Sequence, residues 1–279
     1  MFDPTPAMAG WFGYPLELDD RLRLIKGAGF ESVLLWWAVE SAYEPSIPKK
    51  VETAHKHGLM VENAHLQFAN MNSLWLDGAE GEHYCEELMG LVAEAGVYGV
   101  PTLVVHLTRT SEPPASNELG FSRFMRLVEV AERANVDLAF ENLKVVSRLY
   151  EMMARSDSSR VGVCFDAGHN HYVCPGTRIC RDFAPRIKAV HLHDNRGNKD
   201  EHLIPYDGNE DWANVAKELI DSAYTGAWSL EIEHPLTDKF GKALLPREED
   251  PYFGMGPEEY LARAFAAHRR LVEEAGALL

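Results

Sequence analysis

The sequence predicts a single (β/α)8 TIM barrel that takes in residues 1–279 as one domain. The length is close to the roughly 250 residues that such a barrel usually needs. Short apolar runs alternate with amphipathic stretches along the whole chain, and the apolar runs lack the polar alternation of a half-exposed sheet. Strand followed by helix, repeated eight times, favours a closed parallel barrel over an open sheet.

Eight apolar runs are the candidate strands of this barrel. In chain order they cover 7–13, 32–37, 59–67, 102–107, 136–141, 161–166, 187–194 and 228–233. Stretches with helical spacing follow them, and the sixth helix, around TRICRDFAPR, has the weakest pattern. Gly29, Gly58, Gly99 and Asn135 precede strands directly, as residues that end helices do. The irregular stretch from His234 to Gly256 is expected to be a loop over the barrel mouth.

Composition narrows the class of protein. Hydrophobic residues make up 46% and charged residues 25%, as in soluble globular proteins. No apolar run is long enough for a membrane span and the N-terminus lacks a signal-peptide pattern, so we expect a cytoplasmic protein without a membrane partner. The four cysteines form no CxxC pair, which favours reduced thiols. The net charge of −16 argues against nucleic acid as a partner, and a homo-oligomer stays open.

Polar residues stand at the carboxyl ends of six consecutive predicted strands, where the active site of a barrel is built. They are Asn63 and His65, His106, Glu141 and Asn142, Asp166 and His169, His191 to Asp194, and Glu231 and Glu233. Each one alone could be a hydrogen-bonded core histidine or a helix cap. Together they indicate a divalent metal, since buried carboxylates and imidazoles are costly unless paired or metal-bound. This ligand mixture suits Zn, Mn or Co, and Mg less well.

These motifs resemble the xylose isomerase-like barrel superfamily, which contains sugar isomerases and epimerases, inosose-processing enzymes and endonuclease IV-like nucleases. The resemblance extends from about Gly10 to Gly276. It rests on FEN (140–142), FDAGH (165–169), HLHDN (191–195), DEH (200–202), the run 208–212 and SLEIE (229–233). It implies that Glu141, Asp166, His191 and Glu231 hold one metal ion. It also implies that Glu141 and Glu231 transfer the proton.

Further positions match the trinuclear zinc site of the endonuclease IV-like proteins. They are His65, His106, His169, Asp200 and His202. We favour a single ion over a cluster, because sugar enzymes of this superfamily often retain such residues as hydroxyl binders. Asp200 and His202 could equally lie in a solvated loop.

The resemblance and the acidic charge together predict an isomerase or epimerase that acts on a small sugar, sugar phosphate or inosose-like carbohydrate through a metal-stabilised enediolate. His169, Arg196 and Trp37 are the candidate substrate-binding residues, although Arg196 could be a surface residue. Three alternatives stay open: a dehydratase of a polyol or keto-acid with the same metal site, an endonuclease IV-like trinuclear zinc phosphodiesterase, and a barrel that binds metal and ligand without turnover.

Overall fold

The computed structural model describes residues 3–40, 45–110, 112–234 and 250–279. Its eight parallel strands pair in chain order, and β1 also pairs with β8, which closes the barrel. The strands are β1 (Pro6–Ala9), β2 (Ser32–Trp37), β3 (Met60–Leu66), β4 (Thr102–Val105), β5 (Asp137–Glu141), β6 (Val161–Asp166), β7 (Ile187–Leu192) and β8 (Trp228–Leu230). The predicted (β/α)8 barrel is confirmed.

Helices connect the strands and cover the outside of the barrel. They are α1 (Leu18–Ala28), α2 (Ile47–Lys56), α3 (Ala79–Val97), α4 (Glu118–Ala134), α5 (Ser147–Arg155), α6 (Ala167–Tyr172), α7 (Ile179–Asp182), α8 (Trp212–Asp221) and α9 (Pro257–Gly276). Gly29 and Asn135 end α1 and α4 in the left-handed conformation, as the sequence predicts. No helix of the described segments is long and apolar enough to cross a membrane.

The sixth crossover differs from the prediction. The stretch TRICRDFAPR forms only the short helix α7 and a 3-10 turn, Ala184–Arg186, in which Pro185 follows the start of the turn. The helix α6, which the sequence analysis missed, begins directly after β6. The carboxylate of Asp166 caps it by accepting a hydrogen bond of 2.6 Å from the amide of His169.

Five strands, β1, β3, β4, β7 and β8, also end earlier at the mouth than the apolar runs suggest, whereas β2, β5 and β6 end where predicted. β8 ends at Leu230, and the amide of Glu233 donates instead to the carbonyl of His202 in the loop that follows β7. Asp194 likewise pairs with Leu203 of that loop. The mouth residues therefore bond to the loop between β7 and α8. The predicted loop from His234 to Gly256 falls largely on residues 235–249, which lie outside the described residues.

Below the mouth, the barrel interior is filled by small side chains. Val104, Ala139, Cys164 and Ala189 form a buried cluster of their own, separate from the larger core between the barrel and its helices. All four cysteines are free and buried.

Candidate metal centre

Four side chains converge at the carboxyl ends of β5 to β8. Glu141, Asp166, His191 and Glu231 each offer a ligand atom, and these atoms all lie within 4.8 Å of one another. His191 is central, because its Nδ1 lies 2.9 Å from Glu141 Oε1, 3.0 Å from Glu231 Oε2 and 3.9 Å from Asp166 Oδ2. The structure thus brings together the four residues that the sequence analysis selected as metal ligands.

The ends of β5 and β6 are aligned by an amide at the floor of this group. Asn142 donates to the carbonyl of Asp166 at 2.9 Å, and the amide of Asp166 donates to Asn142 Oδ1 at 2.8 Å. Both side chains are completely buried. Because the amide bonds fix the backbone of Asp166, its carboxylate is held at the mouth next to Glu141.

Two further imidazoles flank Glu141 on the β3 and β4 side. His106 Nε2 lies 2.5 Å from Glu141 Oε2, and His65 Nε2 lies 3.5 Å from the same oxygen. Trp36 stacks on His65 with ring centroids 5.4 Å apart, and Phe68 stacks on His106 at 4.1 Å. These aromatic rings form one wall beside the carboxylates.

The other flank is built by residues from α6 and from the loop after β7. His169 Nε2 lies 3.3 Å from Asp200 Oδ2, and His202 Nε2 lies 3.3 Å from the same oxygen. His202 Nδ1 lies 2.7 Å from the carbonyl of Glu231. The carbonyl and the carboxylate of Asp200 can only accept, so both ring nitrogens of His202 donate. Burial is outweighed by Asp200 and the carbonyl, which raise the pKa of this imidazole.

His193 belongs to this flank although the sequence analysis gave it no defined role. It is fully buried, and its Nε2 lies 3.1 and 3.2 Å from the two oxygens of Asp166. Its ring stacks on that of His202 with centroids 4.0 Å apart. The HLHDN motif places it two residues after His191, so strand alternation was the available signal. His193 orients the carboxylate of Asp166, as histidines around metal ligands do.

The carboxylates and imidazoles of the centre shift each other's pKa values. Burial alone raises the pKa of Glu141, but the charge of His106 and hydrogen bonds from His106, His191 and His65 take it well below its usual range. Burial likewise opposes ionisation of Glu231, and His191 outweighs it, which lowers the pKa of this carboxyl. Burial lowers the pKa of His169, yet Asp166, Asp200 and Glu141 together raise it to about 10. Glu141 and Glu231 are therefore ionised here, and the pKa values of His169, His191 and His202 are raised, whereas burial lowers the pKa of His106.

The residues fit a divalent cation. His169 Nδ1 is buried without a hydrogen-bond partner among the described residues, and the nearest carboxylate oxygens, of Asp166 and Glu141, lie 3.5 and 3.8 Å from it. Such atoms cost free energy unless something satisfies them, and an ion between three carboxylates does so while replacing the protons on the imidazoles. The oxygen and nitrogen donors suit Zn, Mn or Co. Glu141, Asp166, His191 and Glu231 would hold this ion.

Two predicted substrate-binding residues lie away from the centre. Trp37 is fully buried and its indole donates to the carbonyl of Leu91 in α3, so it packs behind the barrel wall, and Trp36 takes the place at the mouth. Arg196 is bound to Glu201 through both its amide and its guanidinium, at 2.8 and 2.6 Å. Its charge is therefore directed to a side chain of its own loop.

Trp11 and Glu233 close the rim between β1 and β8. The Trp11 indole donates to Glu233 Oε1 at 2.6 Å, and the guanidinium of Arg21 lies 5.0 Å from the Trp11 ring centroid. The amide of Glu233 also donates to the carbonyl of His202. The contact therefore joins the first strand to the flank that carries His202.

The chain is similar in sequence and structure to several known proteins. A family model described as xylose isomerase-like TIM barrel matches residues 22–252. Uncharacterized protein y4fM of Sinorhizobium fredii is 33% identical over 156 residues, which are 50% of this chain and 49% of that protein. Uncharacterized protein MJ1311 of Methanocaldococcus jannaschii is 31% identical over 122 residues, 40% of this chain and 42% of that protein. The chain thus spans half or less of the length of these two relatives.

Solved structures of similar fold cover nearly the whole chain. D-Psicose 3-epimerase from Clostridium cellulolyticum H10 superposes with a TM-score of 0.77 and 13% identity, over 96% of this chain and 99% of that one. An L-ribulose 3-epimerase gives 0.75 and 16%, over 99% and 97% of the two chains. The 3-keto-D-glucoside 4-epimerase YcjR from E. coli gives 0.70 and 15%, over 96% and 100%. At such identities the likeness establishes the fold.

Proposed function

The chain belongs to the xylose isomerase-like TIM barrel family, and from that premise we propose that it is a divalent-metal-dependent isomerase or epimerase of a small sugar, sugar phosphate or inosose-like carbohydrate. The observation that carries the proposal is the pair of glutamates on the two sides of His191, with Nδ1 2.9 Å from Glu141 and 3.0 Å from Glu231. The epimerases of similar fold act on ketoses and a keto-glucoside by their names, which supports a carbohydrate substrate.

A bound divalent ion would polarise the substrate carbonyl and stabilise the enediolate that forms when the neighbouring carbon loses a proton. Glu141 and Glu231 are the groups that move this proton. Both have lowered pKa values, so both are ionised near neutral pH and able to accept a proton. The aromatic wall of Trp36 and Phe68 keeps water from one side of the site.

The two glutamates differ in their access to solvent, and this difference suggests separate tasks. The side chain of Glu231 is 21% exposed, whereas that of Glu141 is 1% exposed. A proton taken up by Glu231 can exchange with water, whereas one taken up by Glu141 is shielded. We assign solvent exchange of the substrate proton to Glu231.

The test is exchange of the substrate's α-proton with solvent, followed by NMR in deuterated water. The enzyme is loaded with Mn, Co, Mg or Zn and incubated with candidate substrates. These are ketopentoses, ketohexoses, keto-glucosides, inososes and their phosphates. Glu231→Gln should lower exchange by about 10² to 10⁴-fold, and Glu141→Gln should lower the interconversion of substrate and product by a similar factor. The exposed Glu129→Gln is the matched control and should behave like wild type in both measurements. A glutamine variant that keeps its metal and the step assigned to that glutamate would refute the assigned role.

A second candidate is favoured by one observation, the assembly of His65 and His106 on one flank and of Asp200 and His202 on the other. These groups could hold additional zinc ions, as in a phosphodiesterase of the endonuclease IV type. A dehydratase with the same centre would share the enediolate and would be recognised by loss of water from the product. Zinc stoichiometry near three per chain together with nicking of apurinic DNA, without carbohydrate turnover, would replace the isomerase assignment.

A further inference from the structure

The loop between β7 and α8 carries Asp200 and His202 but has no regular structure for most of its length. Ordering such a loop costs conformational entropy for each residue, so specific contacts must hold it. Both residues lie on the flank of the candidate metal centre described above. What fixes this loop therefore fixes part of the centre.

The carboxylate of Asp194, at the start of the loop, is completely buried. Its Oδ1 accepts hydrogen bonds from the amides of Asn195 at 2.8 Å and Glu210 at 3.1 Å. Its Oδ2 accepts from the amide of Tyr206 at 2.9 Å and from the indole of Trp212 at 2.8 Å. The four donors come from the beginning, the middle and the end of the loop, so one side chain joins all three parts.

The backbone of Asp194 adds a second set of bonds. Its amide donates to the carbonyl of Leu203 at 2.8 Å, and its carbonyl accepts from the amide of Leu203 at 2.9 Å. This short antiparallel bridge brings His202, the neighbour of Leu203, beside His193, the neighbour of Asp194. The stacking of the two imidazoles at 4.0 Å follows from it.

The loop backbone also comes unusually near to this carboxylate at Gly208. A Cβ placed on Gly208 would lie 2.6 Å from Asp194 Cγ and closer still to Oδ1. Any side chain at this position must displace either the loop or the carboxylate. The sequence thus provides the acceptor, Asp194, and a glycine at position 208 that leaves room for it.

From these contacts we infer that Asp194 is a positioning residue that holds the β7–α8 loop as one unit and thereby sets the place of Asp200 and His202 at the mouth. It acts through the loop, since its side-chain oxygens are engaged by loop donors. The inference relies on the proposed function only in taking Asp200 and His202 as part of the metal centre.

The first measurement is hydrogen–deuterium exchange of peptides from 195–211 in the full-length protein. Asp194→Asn places an NH2 group where the donors of Tyr206 and Trp212 need an acceptor. Hydrogen bonds to a charged group are strong enough that exchange of the loop should rise about tenfold or more. Gly208→Ala should give the same pattern, and Trp212→Phe, which removes one donor, a smaller one.

The second measurement is the affinity for Zn²⁺ alone, by calorimetry of metal-free protein. Residues that orient ligands typically contribute about 10 to 100-fold to metal affinity, and Asp194→Asn should lower the affinity for Zn²⁺ by this factor. Asp211→Asn is the matched control. It removes a charge beside the same loop, but asparagine caps α8 as well as aspartate does.

Loop exchange and Zn²⁺ affinity in Asp194→Asn equal to those of Asp211→Asn would overturn the inference. If Asp194→Asn does not fold, Trp212→Phe and Gly208→Ala decide the question by the same two measurements. Failure of the proposed function is recognised separately: wild type would then bind Zn²⁺ without turning over any carbohydrate, or would bind none, while the exchange of the loop would still report the role of Asp194.

Discussion

Gly168, the glycine of the FDAGH motif, offers a sharp test of how the metal centre is supported. A Cβ placed on it would lie 2.6 Å from His193 Nε2 and closer to Cε1 and Nδ1. Since non-bonded carbon atoms prefer about 3.5–4.0 Å, the ring must move by about 1 Å or more. Its contacts with Asp166, now 3.1 and 3.2 Å, would leave hydrogen-bond range. Gly168 has an ordinary helical backbone, so the effect of Gly168→Ala is steric alone.

Two magnitudes follow from this geometry. Overpacking of a buried site costs about 1–3 kcal/mol in the free energy of unfolding. Loss of the residue that orients a ligand lowers metal affinity by about 10 to 100-fold. Urea unfolding of the metal-free protein and calorimetric titration with Zn²⁺ or Mn²⁺ measure the two effects.

Gly90→Ala in α3 is the matched control, because a Cβ there meets nothing within 4 Å. It should leave metal affinity unchanged and stabilise the helix by roughly 0.5–1 kcal/mol. If Gly168→Ala bound metal as tightly as Gly90→Ala, His193 would have no part in orienting Asp166.

Two other predictions concern parts of the chain beside the centre. Burial lowers the pKa of His268 from 6.5 to about 4. The unfolded state therefore binds a proton first, and the free energy of unfolding falls by about 3 kcal/mol as the pH falls from 6.5 to 4. In urea unfolding measured with EDTA, His268→Leu should flatten this pH dependence, whereas the exposed His83→Leu should leave it unchanged. Trp36→Ala should raise KM roughly 3 to 10-fold with little loss of stability. Trp37→Ala should instead lower the free energy of unfolding by about 3–5 kcal/mol. The reverse pattern would show that Trp37, and not Trp36, contacts the substrate.

The sequence was sufficient for the barrel and for the convergence of ligands, because both depend on strand order. Once Glu141, Asp166, His191 and Glu231 end neighbouring parallel strands, closure of the sheet must bring them to one mouth. The distances between these side chains did not have to be known to predict that they meet. The helix α6 was missed for a local reason, since a segment of six residues is too short to show a helical period.

The orientation of single side chains was harder to predict. The run SVLLWW is apolar on both faces, so nothing in it distinguishes the direction of Trp36 from that of Trp37. Arg196 follows HLHDN closely, yet its direction depends on Glu201, which the loop folds back onto it. Such pairings depend on loop conformation and leave no periodic signal.

The carboxylate of Asp166 serves two structures at once. Its Oδ1 accepts a hydrogen bond from a backbone amide that would otherwise be unpaired at the start of α6, and its Oδ2 faces His191 Nδ1. The amide that it caps belongs to His169, which itself reaches back to Asp200. A helix of six residues has little stability of its own. By thermodynamic reciprocity, whatever free energy the proposed ion gains from a fixed Asp166 is returned to α6 as resistance to fraying. Substitutions that stabilise this short helix would therefore raise the affinity for the ion without replacing any ligand.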